Sequence, residues 1–384
     1  MVAVQLKFVD AGDLYASWRW EHEPDQPRAW RFPRSLLEEA LADWARAVPS
    51  PLPGERADQA LVRSLSHGPL LDLARETELS GRLARAVFPG QLGGELNSLV
   101  EQGIRPHLRI QPSPSTALVP WESLRVDEGE RTVHHSEVSV LTPATVRNAH
   151  GRRVSPFSPH GTVVSVYDPE VPGFADDSAL GSVLGPDSPF DRSEVDRDDL
   201  ERALADASRF LYVGHVTTGD HALDSRLHLS CDTTTTGRAA PIGAHRPLTA
   251  ADIALGHRPG PPTPWRVPNR VALIACDSGG DSRFAEPTGL VAAMVHGGAE
   301  YTTATRWTLP TDAGLHHLVP NFPNTPVLPP TVRAIDHAQS AANPVAAQCA
   351  WQRARADQWE QTGDPAHSPI VWATFGTAWS PAPR

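Results

Sequence analysis

The chain has 384 residues, 40 % of them hydrophobic and 21 % charged, with a formal net charge of −11. Its length exceeds one ordinary core and points to two domains or one domain with a large accessory region, and its composition excludes a disordered chain. The acidic balance excludes a general nucleic-acid binder, whose phosphate contacts need a basic surface.

Three cysteines, Cys231, Cys276 and Cys349, form no CxxC pair and no disulfide framework, which fits a reducing compartment. Lys7 and Asp10 interrupt what would be the apolar core of a leader, and no apolar run is long enough to cross a bilayer. A soluble, cytoplasmic protein is expected.

In chain order, residues 1–17 read as a strand-like start. A helix follows from Ser35, where Ser35-Leu-Leu-Glu38 has the capping-box pattern and Leu37, Leu41 and Trp44 share one face. Leu92 to Val100 reads as a second helix stopped by Gly103, and His107 to Ile110 as a strand. Gly161 to Tyr167 is a β-branched run stopped by Asp168-Pro169, followed by loop to Asp187. Asp196 to Ala207 places Leu200, Ala203, Leu204 and Ala207 at helical spacing and leads into a strand over 211–215. From Arg270 the pattern is strand (271–275), turn, helix (about 287–296) and strand (300–305), a minimal βαβ unit that implies a parallel, right-handed crossover. Residues 259–268 and 320–330 read as proline-rich loops, 331–361 as helical, and Ile370 to Phe375 as a last buried strand.

Two of these runs carry chemistry. Leu211-Tyr-Val-Gly-His215 and Val271-Ala-Leu-Ile-Ala-Cys276 each deliver one reactive side chain at a strand's C-terminal end, the place where α/β sheets hold their ligands. If the strands are neighbours, an imidazole and a thiol face each other there. Asp277-Ser-Gly-Gly280 adds a tight turn whose backbone N–H groups suit a thiolate or an oxyanion. The plainer readings are a small buried cysteine and a core histidine. A Ser278 nucleophile would need a different, all-β context. The adjacent pairs His134-His135 and His316-His317 lack the spacing of zinc ligands, so no metal is expected.

The flanking motifs resemble those of bacterial CHAT domains, caspase-like cysteine peptidases related to separase and the caspase/gingipain clan. Pro120-Trp121-Glu122 is similar to the family's Leu-Pro-Trp-Glu box, Phe210 to His215 to its strand ending in Gly-His, and Leu227 to Asp232 to the strand that follows. Leu273 to Gly279 resembles the Ser-Ala-Cys-Glu-Thr-Gly loop, and Gly289 to Asp312 and Pro369 to Phe375 extend the match over roughly 105–378. The resemblance implies a caspase-like α/β fold: a mainly parallel central sheet with helices on both faces and an N-terminal accessory region. Residues 1–104 would be that region and 105–384 the peptidase domain, its catalytic part about 155–384.

The resemblance further implies a cysteine endopeptidase with Cys276 as nucleophile and His215 as general base, needing no metal or organic cofactor. Oxyanion contacts would come from the backbone at Gly214, Val216 and Asp277. Such domains often act as effectors or regulators in bacterial conflict systems, so the expected partners are a specific protein substrate and a regulatory or sensor protein. Val216 departs from the family, which places a second glycine there. Asp168 falls where related proteases often put an acidic pocket residue. The alternatives are a catalytically silent scaffold and a non-proteolytic acyl hydrolase using the same dyad.

Overall fold

Every second side chain of Asp13-Leu-Tyr-Ala-Ser-Trp-Arg-Trp20 is apolar, and Leu14, Ala16, Trp18 and Trp20 are buried while Tyr15, Ser17 and Arg19 are exposed. That alternation is the signature of a strand with one face on a core. In the computed structural model, which describes residues 2–382, this segment is strand β2. The expected strand-like start is a hairpin: β1 (Ala3–Ala11) turns at Gly12, φ 76°, into β2 (Asp13–Trp20). Only a residue without Cβ adopts that φ freely.

The chain divides into two units. The first runs through Leu141 and includes Gly314–Thr325 and Val345–Gly376. Its strands are ordered β3 (Arg28–Phe32), β2, β1, β4 (His107–Gln111) and β5 (Glu137–Val140). The hairpin pairs are antiparallel, whereas β1–β4 and β4–β5 are parallel. Because β1 and β4 share one register, residues on both sides of position 104 belong to one unit.

The helices in the N-terminal part of this unit include α1 (Arg34–Ala47), α2 (Ala57–Ser66), α3 (Leu73–Val87) and α4 (Gly90–Glu101), and the segment from Val345 adds most of a long helix over Pro344–Thr362. Helix α1 begins one residue before the expected Ser35 cap. Pro33 is its N-cap and makes no side-chain cap bond, and the Arg34 N–H is satisfied by Asp13 at 2.9 Å instead. Leu37, Trp44 and Ala47 are its buried face.

Deep in this unit Glu76 accepts from Arg131 (2.7 and 2.8 Å), Arg125 (3.2 Å) and Trp359 (3.3 Å), and both arginines also reach Glu360. Glu76 and Arg131 are fully buried. Burial opposes ionisation of Glu76, yet the Arg131 and Arg125 charges hold its carboxyl below the usual range.

The second unit comprises Thr142–Ala313, Pro326–Pro344 and the segment from Thr377. Its main strands are β6 (Val163–Tyr167), β7 (Arg209–Val213), β11 (Arg270–Ile274) and β12 (Tyr301–Thr305), neighbours in that order and all parallel. A small antiparallel ribbon of β8 (Val216–Thr217), β9 (Arg226–Leu227) and β10 (Leu248–Thr249) follows β7. Helix α5 (Arg197–Ala205), capped by Asp196, lies where its spacing predicted. Helices α6 (Ala250–Leu255), α7 (Leu290–Gly297) and α8 (Leu328–Ser340) belong to the same unit. The chain is therefore α/β with a mainly parallel sheet, and β11–α7–β12 is the expected crossover.

Two expectations near the C-terminus are corrected. Pro329 and Pro330 open α8 instead of lying in a loop, because a helix's first turn needs no N–H bond from them. Pro369–Trp372 is a helical turn capped by the Ser368 hydroxyl, with proline at its first position, and the strand begins only at Phe375.

Candidate active site

Strands β7 and β11 run in parallel with Val213 opposite Ile274. Each proposed catalytic residue lies two positions beyond that rung, so parity and level match for His215 and Cys276. Both are part-exposed at the C-terminal end of the strands.

His215 Nε2 lies 2.7 Å from the carbonyl oxygen of Gly181. A carbonyl only accepts, so Nε2 carries the proton and Nδ1 is left as the bare, basic nitrogen. Burial lowers the His215 pKa, with Gly181 and Asp168 opposing that shift. The Cys276 thiol lies 3.8 Å from the Leu309 carbonyl. Burial pushes it up to about 11, and the neighbouring Asp277 carboxyl adds to the rise. The two groups share no hydrogen bond in this conformation. The resting groups are a neutral thiol and a neutral imidazole.

The cysteine loop is held tightly. Asp277 adopts φ 54°, its N–H donates to the Trp307 carbonyl at 3.1 Å, and its carboxylate lies 2.8 Å from Arg283. Burial outweighs that cation and pushes Asp277 up to about 7. Ser278 is 1 % exposed and donates to the Leu273 carbonyl at 2.7 Å, so its hydroxyl braces the loop and is no nucleophile. Thr305 donates to the Ala275 carbonyl. Asp281 accepts from the N–H groups of Ala292 (2.9 Å) and Val291 (3.4 Å), tying the loop to the start of α7.

Of the three expected oxyanion donors, two are already engaged. Gly214 N–H donates to the Ile274 carbonyl at 3.3 Å and Asp277 N–H to Trp307. Val216 differs. His228 N–H donates to the His215 carbonyl at 3.2 Å, which makes His215–His228 the bonded rung and Val216–Leu227 the open one. The alternation of an antiparallel ribbon then turns the Val216 N–H away from β9. The Cys276 N–H also has no acceptor among the described residues.

The sequence model of one family, the CHAT domain, matches residues 77–380. The chain belongs to the CHAT domain family. No curated protein matches it in sequence. In structure it is similar to two chains from separase–securin complexes of Saccharomyces cerevisiae, at 10 % identity to each and TM-scores of 0.43 and 0.42. Those matches cover 99 % and 100 % of this chain, and the CHAT chain spans 30 % of the length of each.

In this CHAT domain the departure at Val216 costs the cleft nothing in space. Its side chain is 5 % exposed and belongs to the same buried core cluster as Tyr212, Leu227 and Leu273.

Asp168, expected at a substrate pocket, serves the chain's own loop. It is 1 % exposed and accepts from Ser182 Oγ (2.6 Å), Val183 N–H (2.9 Å) and Leu184 N–H (3.3 Å). Those three residues follow Gly181, whose carbonyl orients His215. Gly181 itself is invisible to sequence reasoning, because its contribution is a backbone carbonyl in a loop.

Beneath His215 a buried chain of hydrogen bonds runs from Thr217 Oγ1 to His228 Nε2 (2.9 Å), His228 Nδ1 to His245 Nε2 (3.1 Å) and His245 Nδ1 to the Cys231 carbonyl (2.7 Å). The terminal carbonyl can only accept, which fixes every donor in the chain. Burial holds His228 down to about 3, so it is neutral.

Proposed function

We propose that this CHAT domain is a cysteine endopeptidase that cuts a specific partner protein in the cytoplasm, in a bacterial regulatory or defence system. The observation that carries this reading is the pairing of the two strand ends with a histidine whose Nδ1 is left basic by the Gly181 contact. In the proposed reaction the Cys276 S–H gives its proton to His215 Nδ1 as sulfur bonds to the scissile carbonyl carbon. The N–H groups of Val216 and Cys276 would receive the oxyanion. The imidazolium then protonates the leaving amine as the C–N bond breaks, and water hydrolyses the thioester.

The neutral thiol and the absence of a bond between the two residues favour a second reading, a scaffold that recruits partners without cutting them. Incubation with a peptide and protein library, comparing wild type with Cys276→Ala and His215→Ala, separates the two. Cleavage lost in both variants is expected. Libraries left intact by the wild type, with the cognate partner present, would favour the scaffold.

A further inference from the structure

A cavity of about 540 Å³ lies at the C-terminal end of α7, lined among others by His150, Arg152, Arg153, Trp265, Arg266 and His296. No acidic side chain lines it. Arg152 is buried, and its guanidinium is used by main-chain carbonyls: Val295 (2.7 Å), Ala299 (2.9 Å), Arg147 (2.9 Å) and Ser380 (2.6 Å). It thereby neutralises the helix C-terminus, whose partial negative charge would otherwise repel an anion. Glu300 is the acid that acts on Arg152, and its own carboxylate accepts from Asn269 (3.3 Å) and Trp379 (3.2 Å).

The side chains of His150, Arg153, Arg266 and His296 make no hydrogen bond, ion pair or ring contact among the described residues. Acids outnumber Lys and Arg by 45 to 34 in this chain, and arginines elsewhere in the unit, such as Arg192 and Arg209, have found carboxylates. Two arginines and two imidazoles, their side chains without a partner among the described residues, around one cavity are the arrangement of an anion site.

We infer that this cavity binds a small ligand bearing two or more phosphate groups. Guanidinium forks match phosphate oxygens in pairs, and two arginines with two imidazoles supply donors for more than one phosphate. The volume is that of a small-molecule site, with Val154, Pro156 and Pro264 as apolar wall for the rest of the ligand. A net charge of −11 disfavours an extended polyanion, whereas a compact anion feels chiefly the local field within a Debye length. The inference is independent of the peptidase reading.

The test is calorimetric titration of the full chain with pyrophosphate, and in parallel with a single-stranded oligonucleotide, at about 0.15 M salt. One saturable pyrophosphate site is expected. Its affinity should fall at least about tenfold in Arg153→Gln/Arg266→Gln, while the unliganded melting temperature is unchanged because both positions are exposed. The single variants should show intermediate losses, and Arg34→Gln/Arg85→Gln, in the other unit, should bind as wild type. No saturable binding, an equal loss in the distant variant, or tighter binding of the oligonucleotide through the same arginines would overturn it.

Discussion

The chemistry of the candidate site turns on one proton. With the Cys276 thiol pushed up to about 11, only about one thiol in a few thousand is ionised near pH 7.5, and the thiolate is the nucleophile. Iodoacetamide should therefore alkylate Cys276 slowly at neutral pH, with a rate that climbs about tenfold per pH unit toward 11 and levels beyond it. A rate already flat at pH 7, measured by mass spectrometry of the Cys276 peptide, would mean a preformed thiolate. Val216 supports a second expectation. Its side chain is buried in the core while its N–H turns away from β9, so Val216→Gly should cost about 2–3 kcal/mol of stability through lost burial and added backbone freedom. Peptidase activity should change far less than in Cys276→Ala.

Among the elements, β7, β11, α5 and the β11–α7–β12 crossover were legible because each carries its own period and its own stop signal. The C-terminal segment was not. Ile370-Val-Trp is a short apolar run, which periodicity alone cannot assign to helix or strand. The deciding signal is local, in Ser368-Pro369, a capping hydroxyl followed by a first-turn proline. The turn from Cys276 into α7 yields a test of its own. Burial pushes Asp281 up to about 6, against the pull of the Ala292 and Val291 N–H groups. A folded-state pKa above the unfolded one contributes stability that is present at low pH and lost as pH rises through about 6. Asp281→Asn keeps an acceptor for one of those two N–H groups and removes the titration. Between pH 5 and pH 8 it should gain about 1–1.5 kcal/mol relative to wild type in urea unfolding. A constant difference across that range would show that Asp281 is not the titrating group.

At the level of the whole chain, the parallel α/β class was legible, as was the neighbourhood of the two strands that end at His215 and Cys276, but the partition into units was not. A boundary near 104 suggested itself because motifs begin after it, whereas β1 pairs with β4 across that point. Sequence reading also gave no sign of the charged quartet in the first unit, since Glu76, Arg125, Arg131 and Glu360 are far apart in the chain and each alone looks like a surface residue. Glu76→Gln leaves two buried guanidinium groups without that carboxylate and should cost about 3–5 kcal/mol. Chemical denaturation of the variant gives the number, and a loss below about 1 kcal/mol would place the quartet among interactions as weak as surface pairs.

That quartet also dictates an order of events during synthesis. Translation proceeds from the N-terminus at about 5–20 residues per second, so Glu76 and Arg131 leave the ribosome long before Trp359 and Glu360. Until then the first unit holds a guanidinium group it cannot bury without an incomplete set of acceptors. The quartet can assemble only after residue 360 has been made. Nascent chains arrested at residue 340 should be protease-sensitive within residues 57–131, and chains arrested beyond residue 380 and extruded should be protected there.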